Sequence, residues 1–188
     1  SEGQVVECFP GWQDYAVQKP DDLSGFERLG PLTHHLSVYG VSGLTGYFGM
    51  AECGLPKAGE TVLVSAAGGA VGHIAGQVAK LRGARVVGIV SSPEKAAWLT
   101  GTLGYDAAID RRAGPLNEQL KQTCPEGIDL YFDNVAGEVL ETVMTRMKNR
   151  GRIVCCGWAT QYDTQTPDDA IKGVAYQMVY KRLRMEGF

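Results

Sequence analysis

The 188-residue chain lacks a concentrated positive charge: its formal net charge is −3, and no basic cluster exceeds Lys181-Arg182 with Arg184. Without such an electrostatic footprint, nucleic acid and anionic membrane surfaces are not expected partners. No apolar run approaches the ~18 residues of a membrane span. The opening residues, SEGQVVECF, lack both the basic and the apolar parts of a signal peptide. The five cysteines, Cys8, Cys53, Cys124, Cys155 and Cys156, form no C-x-x-C pair. That odd, irregular set argues against a disulfide framework and a structural zinc site, and for reduced thiols in a cytoplasmic protein. Internal repeats and low-complexity tracts are absent as well.

What is present is ordinary globular material, 44% hydrophobic and 21% charged, enough for one domain with a sizeable core. Short apolar runs at Thr61–Ser65, Arg85–Val90, Ala107–Ile109, Ile128–Asp133 and Arg152–Cys156 read as strands. Between them Val71–Leu81, Glu94–Leu103, Pro115–Thr123 and Val139–Met147 are long enough for two or three helical turns. In the first of these helices Val71, Ile74, Ala75, Val78 and Leu81 form one stripe at helical spacing. Strand alternating with helix predicts an α/β fold, a parallel sheet doubly wound on both faces. Pro93 suits a first helical turn, Ser91 with Glu94 fits a capping box, and Gly83, Gly104 and Gly151 stand where helices stop.

The first sixty residues read differently. Gln4–Cys8 is strand-like, Gly11–Gln18 alternates, and Lys19–Asp22 is turn-like; this stretch is too short to bury a core of its own. GVSGLTGYFGM, Gly40–Met50, reads as a loosened loop entering a helix towards Cys53. Met185–Phe188 reads as the start of a strand, so a chain cut at both ends is expected.

The segment SAAGGAVG, Ser65–Gly72, follows the first apolar run. Aligned on G-x-G-x-x-G, Ala67 takes the first place, with Gly69 and Gly72 in the second and third. A small first residue permits the tight turn, Gly69 lets backbone approach a pyrophosphate, and Gly72 lets helix meet strand closely. Amides at the helix start then face the anion, helped by the helix dipole. A strand before, a helix after and a closing strand make a unit of about 30 residues, the context that this motif requires.

An NAD-binding unit carries an acidic residue roughly 20 residues on, at the end of the second strand. Here Ser91, Ser92 and Lys95 occupy that place, hydroxyls and an ammonium suited to a 2′-phosphate, so NADP(H) is the expected cofactor. Ligands of open parallel sheets lie outside the carboxyl ends of the strands. Those ends carry Asp110-Arg111-Arg112, Asp133-Asn134-Val135 and Gly157–Tyr162.

AAGGAVGHIAGQVAKLRGARVVGIVSSPEK, GIDLYFDNVAGE, RIVCCGWATQY and KRLRMEGF, with GWQDY and GVSGLTGYFGM, resemble the zinc-independent medium-chain dehydrogenase/reductases over nearly the whole chain. The resemblance is to the group of prostaglandin reductases, alkenal double-bond reductases and bacterial curcumin reductases. It implies a Rossmann-type domain over residues 36–188, truncated at its carboxyl end, and in residues 1–35 the remnant of a GroES-like β domain. The implied activity is NADPH-dependent reduction of α,β-unsaturated ketones or aldehydes, hydride passing to the β-carbon and a proton to the α-carbon.

Carried over residue by residue, the resemblance implies that Gly69, Ala70, Val71 and Gly72 meet the pyrophosphate and Lys95 the 2′-phosphate. Asn134 and the loop from Cys156 and Gly157 to Tyr162 are further cofactor positions. Tyr162 matches a tyrosine near the nicotinamide ribose, and its phenol is the candidate catalytic group that polarises the enone oxygen. Thr45 and Tyr47 match a nicotinamide-side segment. Relatives usually carry tyrosine where Arg111 stands; a guanidinium there can serve the phosphate or stack. His73 stands where serine is common and reads as a helix-start residue without a chemical role; His34-His35 has no partner set for a metal. The resemblance further implies a homodimer, a small-molecule enone substrate, and weak turnover by a piece lacking most of the substrate pocket. Two alternatives remain: a quinone reductase of the same superfamily, and a non-catalytic NADP-binding sensor or scaffold.

Overall fold

Thr61–Val64 (β1), buried on both faces, starts a sheet completed by Arg85–Val90 (β2), Ala107–Asp110 (β3), Ile128–Asp133 (β4), Met147–Cys155 (β5) and Arg184–Gly187 (β6). In the computed structural model, which describes residues 3–162 and 172–188, every neighbouring pair is parallel and the strand order is β3-β2-β1-β4-β5-β6. Continuous apolar runs such as TVLV and RVVGIV suit strands covered by helices on both sides. The helices are Leu32–His35 (α1), Val41–Phe48 (α2), Gly72–Leu81 (α3), Pro93–Gly101 (α4), Leu116–Thr123 (α5), Gly137–Arg146 (α6) and Val174–Lys181 (α7); α3 to α7 cover the sheet, and α2 packs on α3. This is the doubly wound Rossmann-type arrangement.

Strand alternation divides the core in two. Val62, Val64, Val86, Val90, Leu130 and Phe132 face α3, α4 and Met50 of the π-helical turn Gly49–Gly54 that extends α2. Leu63, Val87, Ile89, Tyr131 and Ile153 face Leu120 of α5 and Leu140, Val143 and Met144 of α6. Adjacent residues of one strand thus serve opposite layers, which locks register, since a slip by one residue would exchange the two cores.

Some local expectations need correction. Gln4–Cys8 and Gly11–Gln18 form no strand; a single antiparallel bridge joins Glu7 to Ser24. A strand needs a ladder partner, and that region supplies none beyond the bridge. Phe9, Trp12 and Tyr15 are exposed, and among the described residues the buried hydrophobic core begins at Met50. Gly83 and Gly104 do adopt positive φ just beyond α3 and α4. Gly151 instead lies inside β5: α6 ends at Arg146, and Arg150, at φ 64°, takes the left-handed turn. The cap of α4 is Ser92, whose hydroxyl accepts the Lys95 amide at 3.3 Å, and not Ser91. The same Ser92 hydroxyl binds the Glu94 side chain and lowers its carboxyl pKa.

Close approach of α3 to its neighbours depends on Gly76, where an added Cβ would lie 2.7 Å from Cε2 of the buried Tyr105 ring and nearer still to its hydroxyl end. Gly76→Ala is expected to destabilise the fold by about 1–3 kcal/mol through overpacking. Thermal unfolding checks this; an unchanged midpoint would show that the α3–Tyr105 contact yields freely.

Candidate functional site

The strand order reverses between β1 and β4, so the loops leaving those two strands diverge and open a crevice. The loop after β1 turns at Ala66, whose φ of 46° is left-handed, whereas the alignment had assigned the turning position to Ala67. Ala67 is instead buried and donates its amide to Ile89 O at 3.0 Å, tying the loop to β2. Gly69 donates back to Ala66 O at 2.9 Å, closing the turn. At Gly72 an added Cβ would come within 2.8 Å of Ala67 Cα, so helix α3 starts against the loop as the third glycine position requires. Among the described residues, the amides of Gly68, Ala70, Val71 and Gly72 have no backbone acceptor. Four unsatisfied N–H groups at a helix start form a concave donor surface for an anion.

A buried carboxylate holds the two diverging loops together. Asp133 Oδ1, at the end of β4, accepts from Tyr131 Oη at 2.8 Å, Ser65 Oγ at 3.2 Å, and the Val135 and Ala136 amides at 3.0 Å each. Ser65 Oγ accepts the Asn134 amide at 2.8 Å, and Asn134 Nδ2 donates to Ser65 O at 2.7 Å. Burial, first, and the Asp133 charge keep the Tyr131 phenol protonated well above the ordinary tyrosine range. Tyr131 is therefore a permanent donor, and Asp133 has its charge met by four donors in a site from which water is excluded.

Beside this assembly lies a cavity of about 270 Å³. It is lined by Ser65, Ala66, Gly68 and Gly69 of the loop after β1, by Val135, Val139, Ala159 and Thr160, and by the polar side chains of Ser91, Lys95 and Arg111. Lys95 lies across the loop, its Cδ 3.1 Å from where a Gly68 Cβ would stand. Among the described residues the lining holds two cations and no carboxylate. Neither the Lys95 ammonium nor the Arg111 guanidinium has an ion-pair partner among the described residues.

Of the sequence-selected residues, Gly69, Ser91, Lys95 and Arg111 line the cavity, and Ala70, Val71 and Gly72 continue the loop beside it. Ser92 is turned to capping α4. Cys156 and Gly157 are bound by their amides to Asp133 O, at 2.8 and 3.1 Å, which draws the β5 loop alongside Asn134. Tyr162 is exposed, stands edge-on to Trp158 at 5.5 Å, and lies over Gly157 at the rim of the crevice. Thr45 is half-buried on α2, outside the cavity lining. The sequence assigns Ser65 no ligand-side role and names Asp133 and Thr160 only as members of strand-end loops; a polar residue closing an apolar strand was the signal available for Ser65 and Asp133. The Cys155 and Cys156 thiols are both pushed up to about 11, by burial first and then by the Asp133 carboxylate, so neither is a nucleophile at neutral pH.

Residues 70–188 match the family described as zinc-binding dehydrogenase. The chain belongs to that family. The relatives it matches are of the reductase group that its motifs resemble. It is 39% identical over 193 residues to the NADPH-dependent curcumin reductase of Escherichia coli K12, covering 99% of this chain and 55% of that protein. It is 43% identical over 196 residues to prostaglandin reductase 1 of Rattus norvegicus, covering 99% and 57%. The crystal structure of CurA in complex with NADPH from Vibrio vulnificus superposes with a TM-score of 0.81 at 39% identity, over 95% of this chain and 54% of that one. The chain thus spans about half the length of the curated relatives it matches. Despite the family's description, no three His, Cys, Asp or Glu residues gather around a metal position among the described residues, so no step is assigned to zinc here.

Asp133→Ala is expected to lower stability by roughly 3 kcal/mol or more, because Tyr131, Ser65 and two amides would lose a buried acceptor. Urea unfolding measures it; a loss below about 1 kcal/mol would mean that water replaces the carboxylate.

Proposed function

We propose that this chain is the coenzyme-binding part of an NADPH-dependent reductase of carbon–carbon double bonds conjugated to a ketone or aldehyde. The observation that carries the reading is a cavity lined by Ser91, Lys95 and Arg111 with no carboxylate among its described residues, beside a glycine loop whose Ala70, Val71 and Gly72 amides have no backbone acceptor. A diphosphate fits the amides of Ala70, Val71 and Gly72, and a 2′-phosphate fits the two cations; an acidic residue at Ser91 would have selected NADH instead. The bound NADPH would supply hydride.

The chain's own residues order the rest of the site. Asn134, anchored on Ser65, and the loop from Cys156 and Gly157 flank the crevice, and Thr160 Oγ1 donates to Val135 O at 2.7 Å, holding that loop over it. Tyr162 at the rim is the proposed group that donates to the developing enolate oxygen. Thr45 on α2 belongs to the nicotinamide side in this reading. The relatives named as curcumin, prostaglandin and 2-alkenal reductases support enones over quinones, since they exceed in identity the quinone oxidoreductase of Pseudomonas syringae at 25%.

Residues 36–188 are proposed as the coenzyme domain and residues 1–35 as the tail of a second, β-rich domain that carries most of the substrate pocket. The start of the buried core at Met50 supports that division. A homodimer is proposed through the free edge of β6, beside which α7 exposes Tyr176, Val179 and Tyr180. No helix among the described residues is long and apolar enough to cross a membrane. A cytoplasmic setting is proposed from the five free cysteines.

Fluorescence titration should show tighter binding of NADPH than NADH. Lys95→Ala should weaken NADPH by roughly tenfold or more while leaving NADH within about twofold, as expected for loss of one charge-assisted phosphate contact. Equal affinities untouched by the substitution would overturn the 2′-phosphate assignment. In the full-length protein, Tyr162→Phe should lower enone turnover by about tenfold or more with NADPH affinity retained; unchanged turnover would remove Tyr162 from the chemistry.

A further inference from the structure

His73, on the first turn of α3, has an unexpected set of contacts. Its Nδ1 lies 2.8 Å from Gly69 O, and its own backbone amide donates to the same oxygen at 3.1 Å. A carbonyl oxygen only accepts, so Nδ1 carries the proton, and Gly69 O is gripped by two donors of one residue. The ring also lies 5.9 Å from that of Trp98, one turn beyond Lys95 on α4.

The consequence follows from peptide geometry. In the planar trans unit joining Gly69 to Ala70, the N–H points opposite to the C=O. Holding Gly69 O against helix α3 turns the Ala70 N–H away from the helix. Ala70 is exposed and its amide has no backbone acceptor among the described residues. Gly69 is exposed and has no side chain to restrict its rotation; an added Cβ there would meet one atom within 4 Å, Ala66 O at 3.1 Å. An unrestrained glycine there would let the peptide rotate and withdraw the donor.

We propose that His73 is a positioning residue of the anion-binding loop: by donating Nδ1–H to Gly69 O it fixes the peptide that presents the Ala70 amide to a diphosphate. The inference rests on the dinucleotide reading above and deepens it. His73 touches no ligand in this role. Its effect is on how well a diphosphate is held, and the cation end at Lys95 and Arg111 is untouched by the bond.

Two substitutions separate the hydrogen bond from the ring contact. His73→Phe keeps an aromatic ring against Trp98 and removes the donor. His73→Ser removes the ring, and its hydroxyl can donate to the carbonyl four residues back, a common helical bond. Isothermal titration of the full chain with NADPH, ADP and adenosine 2′-monophosphate is the test, with circular dichroism and thermal melts confirming that each variant is folded. The expected result is that His73→Phe weakens NADPH and ADP by roughly five- to tenfold, the scale of one lost hydrogen bond. His73→Ser should restore both to within about twofold, and adenosine 2′-monophosphate, which has no diphosphate, should bind all three proteins alike. Unchanged ADP affinity in a folded His73→Phe, or equal loss for adenosine 2′-monophosphate, overturns the positioning role alone. Weakening by His73→Ser with His73→Phe unaffected assigns the effect to the ring and also overturns it. Failure of the unsubstituted protein to bind NADPH and ADP overturns the dinucleotide reading together with this assignment.

Discussion

The carboxylate of Asp133 is the point on which the architecture of the crevice depends. Parallel strands β1 and β4 are neighbours in the sheet, yet their following chains leave in opposite directions to cover opposite faces. Two backbones that part this sharply leave amides and hydroxyls without partners at the divergence. Asp133 satisfies four such donors at one oxygen, from β4 itself, from Ser65 and from the turn entering α6. Its burial would be prohibitive without those donors. With them, the same group fixes the loop after β1 and the loop after β4 relative to each other, and both loops line the cavity.

From that fixed junction the polarity of the site follows. In the proposed reading the helix start contributes backbone donors for a diphosphate. Lys95 and Arg111, on α4 and on the loop after β3, contribute full charge to the cavity lining. Backbone donors are rigid and suit a group whose position is constant. Long cationic side chains suit a phosphate at the periphery, where solvent access is greater and geometry less strict. Among the described lining residues there is no carboxylate, so under the proposed reading the distinction between the two nicotinamide coenzymes is an electrostatic one, with Ser91 in the position where an acidic residue would repel a 2′-phosphate.

The glycines in SAAGGAVG divide their tasks differently from the alignment. The left-handed turn falls on Ala66, a residue for which that conformation costs of order 1 kcal/mol. Gly69 is the position proposed to face a ligand, and Gly72 allows close contact with the loop. His73 then limits the freedom that Gly69 introduces. A loop rich in small residues thereby becomes a stiff one, which matters because an anion is held best by donors already in place.

Much of this was legible in the order of residues. Strand and helix positions emerged to within a few residues because the apolar runs and the helical stripe of Val71, Ile74, Ala75 and Val78 are local patterns, as are the Pro93 start of α4 and the glycine stops after α3 and α4. Lys95 was legible through its distance from the loop within one strand–helix–strand unit. The amino-terminal strand was misread because alternation states a preference, while pairing requires a partner strand. Ser65 and Asp133, 68 residues apart, meet because β1 and β4 are adjacent. The adjacency of β2 and β3 likewise brings Arg111 and Lys95 to one cavity, and the bend of one loop brings His73 Nδ1 onto Gly69 O. The sequence by itself determined the fold class and the anion loop, because propensity and periodicity act over neighbouring residues. Which polar groups share the crevice was decided by strand order, a property that exists only once the sheet has formed.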